Sequence, residues 1–168
     1  HHDHINSVDE ILKIYDIEIF LNNKEKDFWG KKYDNFVINH GGDIIRLGST
    51  NIKSIHTPGH TPGSTCYYVG NKLVAGDTLF VFGCGRCDLH GGNPEEMFNS
   101  LKNLKETLDK DTIILPGHDY SVKRESTIKE QITGNPFMHF EDLSKFVEYR
   151  MSIHDKTRPS PYDMVYKT

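Results

Sequence analysis

Ten histidines occur in this 168-residue chain, and a group of them opens it. The segment His1-His2-Asp3-His4 places several imidazoles beside a carboxylate, and it contains no thiol. Nitrogen and oxygen ligands of this kind suit Zn, Fe or Mn. A histidine-rich terminus can also be a purification tag. The aspartate within the segment, and the helix-start signal Ser7-Val8-Asp9-Glu10 behind it, favour a ligand segment instead.

Three further histidine or aspartate residues share one local pattern, in which an apolar segment is followed by a glycine and then by the possible ligand. They are His60 after Pro58-Gly59, Asp77 after Ala75-Gly76, and His118 after Pro116-Gly117. Turns rich in Pro and Gly hold a side chain firmly at a strand end, where functional sites are often built. A hydrogen-bonded turn residue would explain any one of them. Three such turns together with the N-terminal segment favour a common metal site.

This ordered set of motifs resembles the metallo-β-lactamase superfamily, and within it the glyoxalase II and persulfide dioxygenase branch. The first motif of that family reads His-x-His-x-Asp-His. The matching positions in this chain are His1, Asp3 and His4 in the first motif, followed by His60, Asp77 and His118. The family's first histidine would lie two residues before His1. We therefore expect a single domain over residues 1–168 that lacks that histidine and the first N-terminal strands.

The resemblance implies two divalent metal ions, with Zn expected first and Fe or Mn as alternatives. By this resemblance His1 and His60 bind one ion. The other ion is bound by Asp3, His4 and His118. Asp77 is expected to bridge the two ions, and Asp3 to orient a metal-bridging hydroxide, which makes both aspartates candidate catalytic residues. The implied reaction is hydrolysis of a thioester similar to hydroxyacylglutathione.

Two further residues are candidates for substrate binding. The loop Gly83-Cys84-Gly85-Arg86-Cys87-Asp88 resembles the family segment that places a basic residue near the glutathione moiety, so Arg86 is expected to bind a carboxylate. Tyr120 matches a tyrosine that contacts the same ligand in glyoxalase II. An exposed arginine and a packing tyrosine are the simpler interpretations. Cys84 and Cys87 form a C-x-x-C pair, but no second pair completes a zinc knuckle.

Two alternative functions stay open at this point. Persulfide dioxygenases share the pattern formed here by Gly85, Arg86 and Asp88, and they use a single iron, which His1, His60 and Asp77 would bind. Such an enzyme would consume oxygen, whereas thioester hydrolysis would not. The other alternative is a non-catalytic metal-binding domain.

The elements that must position these residues are short strands and amphipathic helices. Strand patterns cover residues 17–21, 43–47, 52–56, 65–69, 72–75 and 112–115, and helix patterns begin near Ser7, Asn93, Lys123 and Glu141. Asn93-Pro94-Glu95-Glu96 is typical of a helix start. The fold class expected from the resemblance is α+β, a four-layer αβ/βα sandwich with mainly antiparallel mixed sheets.

Composition narrows the range of partners. The net charge is −4 with acids and bases interspersed, which disfavours nucleic acid. The sequence contains no apolar run near the ~20 residues that a membrane span requires, so we expect no membrane contact. Three cysteines are too few for a disulfide framework, which favours a cytoplasmic location. We expect the partner to be a small-molecule thioester or glutathione-type substrate.

Overall fold

The structure is a computed structural model and describes residues 1–29, 36–158 and 160–167, with the side chains of His2 and Trp29 outside that description. The strands are β1 (Ile19–Asn22), β2 (Phe36–Asn39), β3 (Ile44–Leu47), β4 (Thr50–His56), β5 (Thr65–Val69), β6 (Lys72–Gly76), β7 (Leu79–Phe80), β8 (Gly83–Cys84), β9 (Ile113–Pro116) and β10 (Ser126–Thr127). The α-helices are α1 (Val8–Ile14), α2 (Asn23–Trp29), α3 (Pro94–Thr107), α4 (Ile128–Gly134), α5 (Leu143–Glu148) and α6 (His154–Thr157). Short 3-10 turns cover His2–His4 and Pro136–Met138, and a π-helical turn, Tyr149–Ile153, joins α5 to α6.

The main sheet has six strands in the order β10-β9-β6-β5-β4-β3. All neighbouring pairs are antiparallel except β6 and β9, which run parallel. A second sheet consists of the parallel pair β1 and β2, and Asn39 Nδ2 at the end of β2 lies 3.4 Å from the Tyr67 hydroxyl oxygen on β5. The predicted α+β class with mainly antiparallel mixed sheets is confirmed.

The core lies between the main sheet and helix α3. Side chains alternate along β6, so that Leu73 and Ala75 are buried toward the core while Val74 is 44% exposed on the opposite face. An apolar stripe on α3 supplies the other side of the core, with Met97, Leu101 and Leu104 all buried.

Helix α3 begins as the sequence predicts. Asn93 is the N-cap, and its side-chain oxygen accepts hydrogen bonds from the backbone N–H groups of Glu95 at 2.9 Å and Glu96 at 3.1 Å. Pro94 occupies the first helical position, where its missing N–H costs nothing. The firm start matters because the backbone of this helix packs against the turn that carries His60.

Other helices differ from the sequence-based boundaries. Helix α1 is present, but the Ser7 side chain makes no capping hydrogen bond to the described backbone. The helix predicted from Lys123 begins only at Ile128, because residues 126–127 pair with β9 as strand β10. Thr127 then forms a complete capping box with Glu130. None of the helices in the described ranges combines the length and apolarity that crossing a bilayer requires.

Candidate metal centre

The six predicted ligand residues meet in two groups at one edge of the main sheet. The first group is His1, His60 and Asp77, and the second is Asp3, His4 and His118. Within each group the ligand atoms lie within 4.8 Å of one another. The structure thus brings together every residue that the sequence assigned to this site.

Asp77 lies between the two groups. Its Oδ2 atom is 3.2 Å from His4 Nε2, 3.2 Å from His60 Nε2 and 3.4 Å from His118 Nε2. The Asp3 carboxylate approaches from the more exposed side, with Oδ2 at 3.2 Å from His118 Nε2. One carboxylate facing imidazoles from both groups is the arrangement that a bridging ligand requires.

Parallel pairing explains why Asp77 and His118 meet, although they are far apart in the sequence. Asp77 follows β6 and His118 follows β9 after one further residue, and the carboxyl ends of parallel strands lie at the same edge of a sheet. The Gly117 N–H donates to the Gly76 carbonyl at 2.9 Å, which joins the two turns. A Cβ atom on Gly117 would lie 2.4 Å from Asp77 Oδ1 and 3.0 Å from His4 Cε1, so only glycine leaves room for both ligands.

The turn that carries His60 is held against the start of α3. Gly59 has a φ of +137°, and a Cβ atom there would lie 2.5 Å from the Met97 backbone. The Asn93 N–H donates to the Gly59 carbonyl at 2.8 Å. From the other side, the Glu25 carboxylate of α2 accepts hydrogen bonds from the Thr61 hydroxyl at 2.7 Å and from the Gly63 N–H at 3.0 Å. His60 is therefore fixed by contacts on both sides of its turn.

Hydrogen bonding also sets the orientation of the His60 ring. Its Nδ1 lies 2.7 Å from the Arg86 carbonyl oxygen, so Nδ1 carries the proton and donates it. This leaves the Nε2 lone pair directed at the centre, as metal-binding histidines require. A Cβ on Gly85 would lie 2.0 Å from the Asp77 carbonyl oxygen and 2.9 Å from His60 Nδ1, so the loop approaches this closely only because Gly85 has no side chain.

Two buried atoms at the centre fit a bound cation. Among the described residues, neither His60 Nε2 nor Asp77 Oδ1 has a hydrogen-bond partner. Buried polar atoms normally have one, and a cation would supply it. Burial alone would raise the pKa of the Asp77 carboxyl, but the neighbouring imidazoles of His60, His4 and His118 bring it below its ordinary value. An ionised carboxylate among nitrogen donors fits a divalent metal ion.

A cavity of about 760 Å³ opens onto the centre. Phe80 and the predicted residue Tyr120 line it next to the ligands, and the Tyr120 ring stacks on His118 with centroids 5.0 Å apart. The other predicted residue, Arg86, also lines the cavity. Its Nε and Nη2 atoms already donate hydrogen bonds to the Asp88 carboxylate, at 2.9 and 2.7 Å.

Sequence reasoning missed the C-terminal wall of this cavity. Arg150, Asp155 and Tyr162 line it together with Cys84 and Leu89. Arg150 and Asp155 are five residues apart, which is not the spacing of an α-helical ion pair, and nothing in the sequence connects them to the metal motifs. The connection arises only because the π-helical turn and α6 bring Arg150 and Asp155 beside the loop of residues 83–88.

The remaining conspicuous histidines and cysteines do not join the ligand groups found among the described side chains. His56 Nε2 lies 2.9 Å from the Pro62 carbonyl oxygen, so this histidine makes a structural hydrogen bond within the turn that carries His60. Cys84 and Cys87 are free and buried. Burial raises the pKa of the Cys87 thiol to about 12 and that of Cys84 well above its usual range, so both thiols stay protonated at neutral pH.

Comparisons with known proteins agree with this geometry. Residues 1–118 match the model of the family described as "Metallo-beta-lactamase superfamily". The chain is 30% identical over 156 residues to the probable polyketide biosynthesis zinc-dependent hydrolase PksB of Bacillus subtilis, covering 93% of this chain and 69% of that protein. It is 36% identical over 129 residues to a hydroxyacylglutathione hydrolase of Bartonella henselae, covering 72% of this chain and 46% of that protein.

A solved structure also has a similar fold. The di-iron-bound form of TTHA1623 superposes with a TM-score of 0.66 at 28% identity, covering 82% of this chain and 73% of that one. The motifs, the convergence of the ligand groups and these similarities lead to one conclusion: the chain belongs to the metallo-β-lactamase superfamily.

Proposed function

We propose that this protein is a metal-dependent hydrolase that cleaves small-molecule thioesters at the centre formed by the two ligand groups. The observation that carries the proposal is the position of Asp77, which faces imidazoles of both groups at 3.2 to 3.4 Å. Support also comes from the hydroxyacylglutathione hydrolase to which the chain is similar.

The donor set fits two divalent ions, and zinc is our first choice. PksB is named as zinc-dependent, and the TTHA1623 structure is a di-iron form, so iron is the alternative to test. Two cations held there would lower the pKa of a water shared between them, making hydroxide available near neutral pH, and would polarise the thioester carbonyl.

The chain's own residues then have distinct roles. Asp3 is 55% exposed toward the cavity side, so its carboxylate is free to accept a hydrogen bond from the attacking water and orient it. Asp77 is only 12% exposed and holds the two groups at a fixed separation. Phe80 and Tyr120 form an aromatic wall beside the ligands, which limits bulk water near the scissile bond.

A persulfide dioxygenase with one iron is the second candidate. The first group, His1, His60 and Asp77, would suffice for it. The nearby second group favours the dinuclear hydrolase, because a mononuclear site would leave Asp3, His4 and His118 clustered without a metal ion.

The test combines metal quantification with a substrate panel. We expect close to two metal ions per chain and anaerobic hydrolysis of thioesters such as S-lactoylglutathione. Oxygen uptake with a persulfide, one iron per chain and no thioester cleavage would support the dioxygenase instead. Metal binding without turnover of thioesters, persulfides or lactones would leave a non-catalytic metal-binding domain.

A further inference from the structure

The cavity extends from the metal centre to a charged cluster near the C-terminus. Three aromatic rings line its path: the centroids of His118 and Tyr120 are 5.0 Å apart, and those of Tyr120 and Tyr162 are 6.3 Å apart. Behind this wall, the buried His154 ring lies 5.4 Å from the Tyr162 ring. Asp155 follows His154 directly and lines the same cavity. A substrate whose acyl group lies at the metals would extend its thiol arm along this wall. We call the part lined by Arg86, Arg150, Asp155 and Tyr162 the distal subsite.

Asp155 is held in place from beneath. The buried Arg150 side chain is only 2% exposed, and its NH2 group lies 2.7 Å from both carboxylate oxygens of Asp155. His154 Nδ1 lies 2.7 Å from Asp155 Oδ1. The Asp155 side chain is nevertheless 56% exposed, so its carboxylate keeps free lone pairs toward the cavity. A carboxylate fixed by two buried partners is a preorganised acceptor.

Both guanidinium groups that line the distal subsite already have an aspartate partner. Arg150 is paired with Asp155, and the more exposed Arg86 is paired with Asp88 through two of its N–H groups. Among the described lining residues, therefore, an incoming carboxylate or phosphate finds no guanidinium without a carboxylate partner. The remaining N–H groups of Arg86 can still donate to a neutral carbonyl oxygen.

From this arrangement we propose that the distal subsite binds an uncharged, amide-bearing thiol arm, with its N–H donating to Asp155 and its carbonyl accepting from Arg86. The assignment rests on the proposed thioester hydrolysis and names the class of carrier. It also differs from the expectation that Arg86 binds a free carboxylate. Peptide-type and pantetheine-type carriers both contain this amide chemistry, so the test includes one of each.

Binding of non-hydrolysable thioethers tests the assignment without relying on turnover. The probes are S-propylpantetheine and the S-propyl derivative of N-acetylcysteine N-methylamide. Each is paired with an analogue in which ester oxygens replace both of its amide N–H groups. Calorimetric titration of the metal-loaded protein should show at least one amide arm binding about 10-fold more tightly than its ester partner, because a hydrogen bond to a charged group is lost. Equal affinity within both pairs would overturn the proposal.

A charged arm gives an independent test. S-propyl-4′-phosphopantetheine carries the same amides and adds a phosphate. It should bind no more tightly than S-propylpantetheine, since the guanidinium groups of Arg86 and Arg150 are already paired with aspartates. A gain of about 10-fold or more on adding the phosphate would mean that the subsite selects anions, and would overturn the proposal.

Variants locate the effect. Asp155→Asn should remove most of the preference for amide over ester, while Glu148→Gln, which neutralises an exposed carboxylate of α5 outside the cavity lining, should leave the preference unchanged. Binding of the ester arm reports whether Asp155→Asn is folded. If the folded variant kept the full preference, Asp155 would not be the acceptor.

Failure of this proposal and failure of the proposed function give different results. If the protein binds the amide arms selectively but cleaves no thioester, the distal subsite stands and the hydrolase assignment is wrong. If thioesters with amide arms and with ester arms are cleaved with equal kcat/KM, and the matching thioethers bind equally, the hydrolase assignment stands and the distal subsite is wrong.

Discussion

The hydroxyl oxygens of Thr57 and Thr78 lie 3.0 Å apart in the interior and connect the turn that carries His60 to the turn that carries Asp77. The Thr78 hydroxyl also lies 3.3 Å from the Thr57 carbonyl oxygen. Both threonines are buried, so water cannot replace this contact. The contact therefore fixes the position of His60 relative to Asp77, the carboxylate that faces imidazoles of both ligand groups.

Removal of the Thr78 hydroxyl should loosen the metal centre without touching a ligand. Thr78→Val keeps the shape of the side chain but leaves the Thr57 hydroxyl without this partner. We expect metal affinity to fall about 10-fold, in the range seen when the groups supporting metal ligands are removed. Competition with a chromophoric chelator measures the affinity directly.

Two variants separate this effect from a general loss of stability. Thr78→Ser restores the hydroxyl and should recover most of the affinity. Thr112→Val is the matched control, because Thr112 is 1% exposed and its hydroxyl has no hydrogen-bond partner in the described part of the chain. The explanation fails if Thr112→Val weakens metal binding as much as Thr78→Val does.

Asp77→Asn should reduce turnover and metal content together. Asparagine keeps the size of the side chain but loses the negative charge that faces His4, His60 and His118. We expect loss of most bound metal and of at least about 100-fold in kcat/KM, equivalent to roughly 3 kcal/mol of transition-state stabilisation. Metal analysis and thioester kinetics on the same preparation provide the measurement.

The control for charge is Asp111→Asn, which changes an exposed aspartate at the opposite end of β9. It should retain both metal and activity. Full metal content in Asp77→Asn would show that this carboxylate does not bridge the two groups.

Gly117→Ala should abolish metal binding, whereas Gly70→Ala should leave metal binding intact. A methyl group on Gly117 would meet Asp77 Oδ1 at 2.4 Å, so we expect loss of metal binding. Gly70 has open space around its Cβ position but a φ of +60°, so alanine there should cost about 1 kcal/mol of unfolding free energy and leave metal binding intact. Urea unfolding and metal titration of both variants give the comparison, and full metal binding by Gly117→Ala would contradict the packing argument.

The stability of the metal-free protein should depend on His154 in weakly acidic solution. Burial lowers the pKa of this histidine below 6.5, although the Asp155 carboxylate acts in the opposite direction. The unfolded chain therefore takes up a proton that the folded chain does not, once the pH falls below about 6.5. The contribution of His154 to stability is complete above that pH and declines as the pH falls toward its folded pKa.

Replacement of His154 isolates this dependence. The unfolding free energy of the wild type relative to His154→Asn should decrease between about pH 7.5 and pH 5.5, as measured by urea denaturation. A difference that stays constant over this interval would show that the buried ring does not resist protonation.

The sequence was sufficient to predict which histidines and aspartates converge at the candidate metal centre, because glycine turns after strands carry a local signal. Residues 65–69 were predicted as a strand with the bounds that β5 has, and Asn93 was identified as the cap of α3. The relations between elements were harder to predict. Residues 126–127 pair with β9, which delays the start of α4, and that pairing depends on a partner more than ten residues away.

The distal subsite escaped prediction for the same reason. Arg150 and Asp155 form the subsite only together with Arg86, which is far away in the sequence. The three residues meet because the C-terminal segment packs against the loop of residues 83–88. Composition and spacing do not encode that proximity. Arg86 was predicted to bind a substrate carboxylate. It does line the cavity, but its pairing with Asp88 became visible only in three dimensions.

Most of the distal subsite is encoded after the metal-ligand motifs. The predicted metal ligands end at His118. Of the four residues that define the distal subsite, Arg86 lies before His118, and Arg150, Asp155 and Tyr162 come after it. On the proposed function, exchange of the last few dozen residues between homologues would change the residues that contact the carrier and would leave the predicted metal ligands in place. Diversification within this lineage should accordingly concentrate in the C-terminal helices.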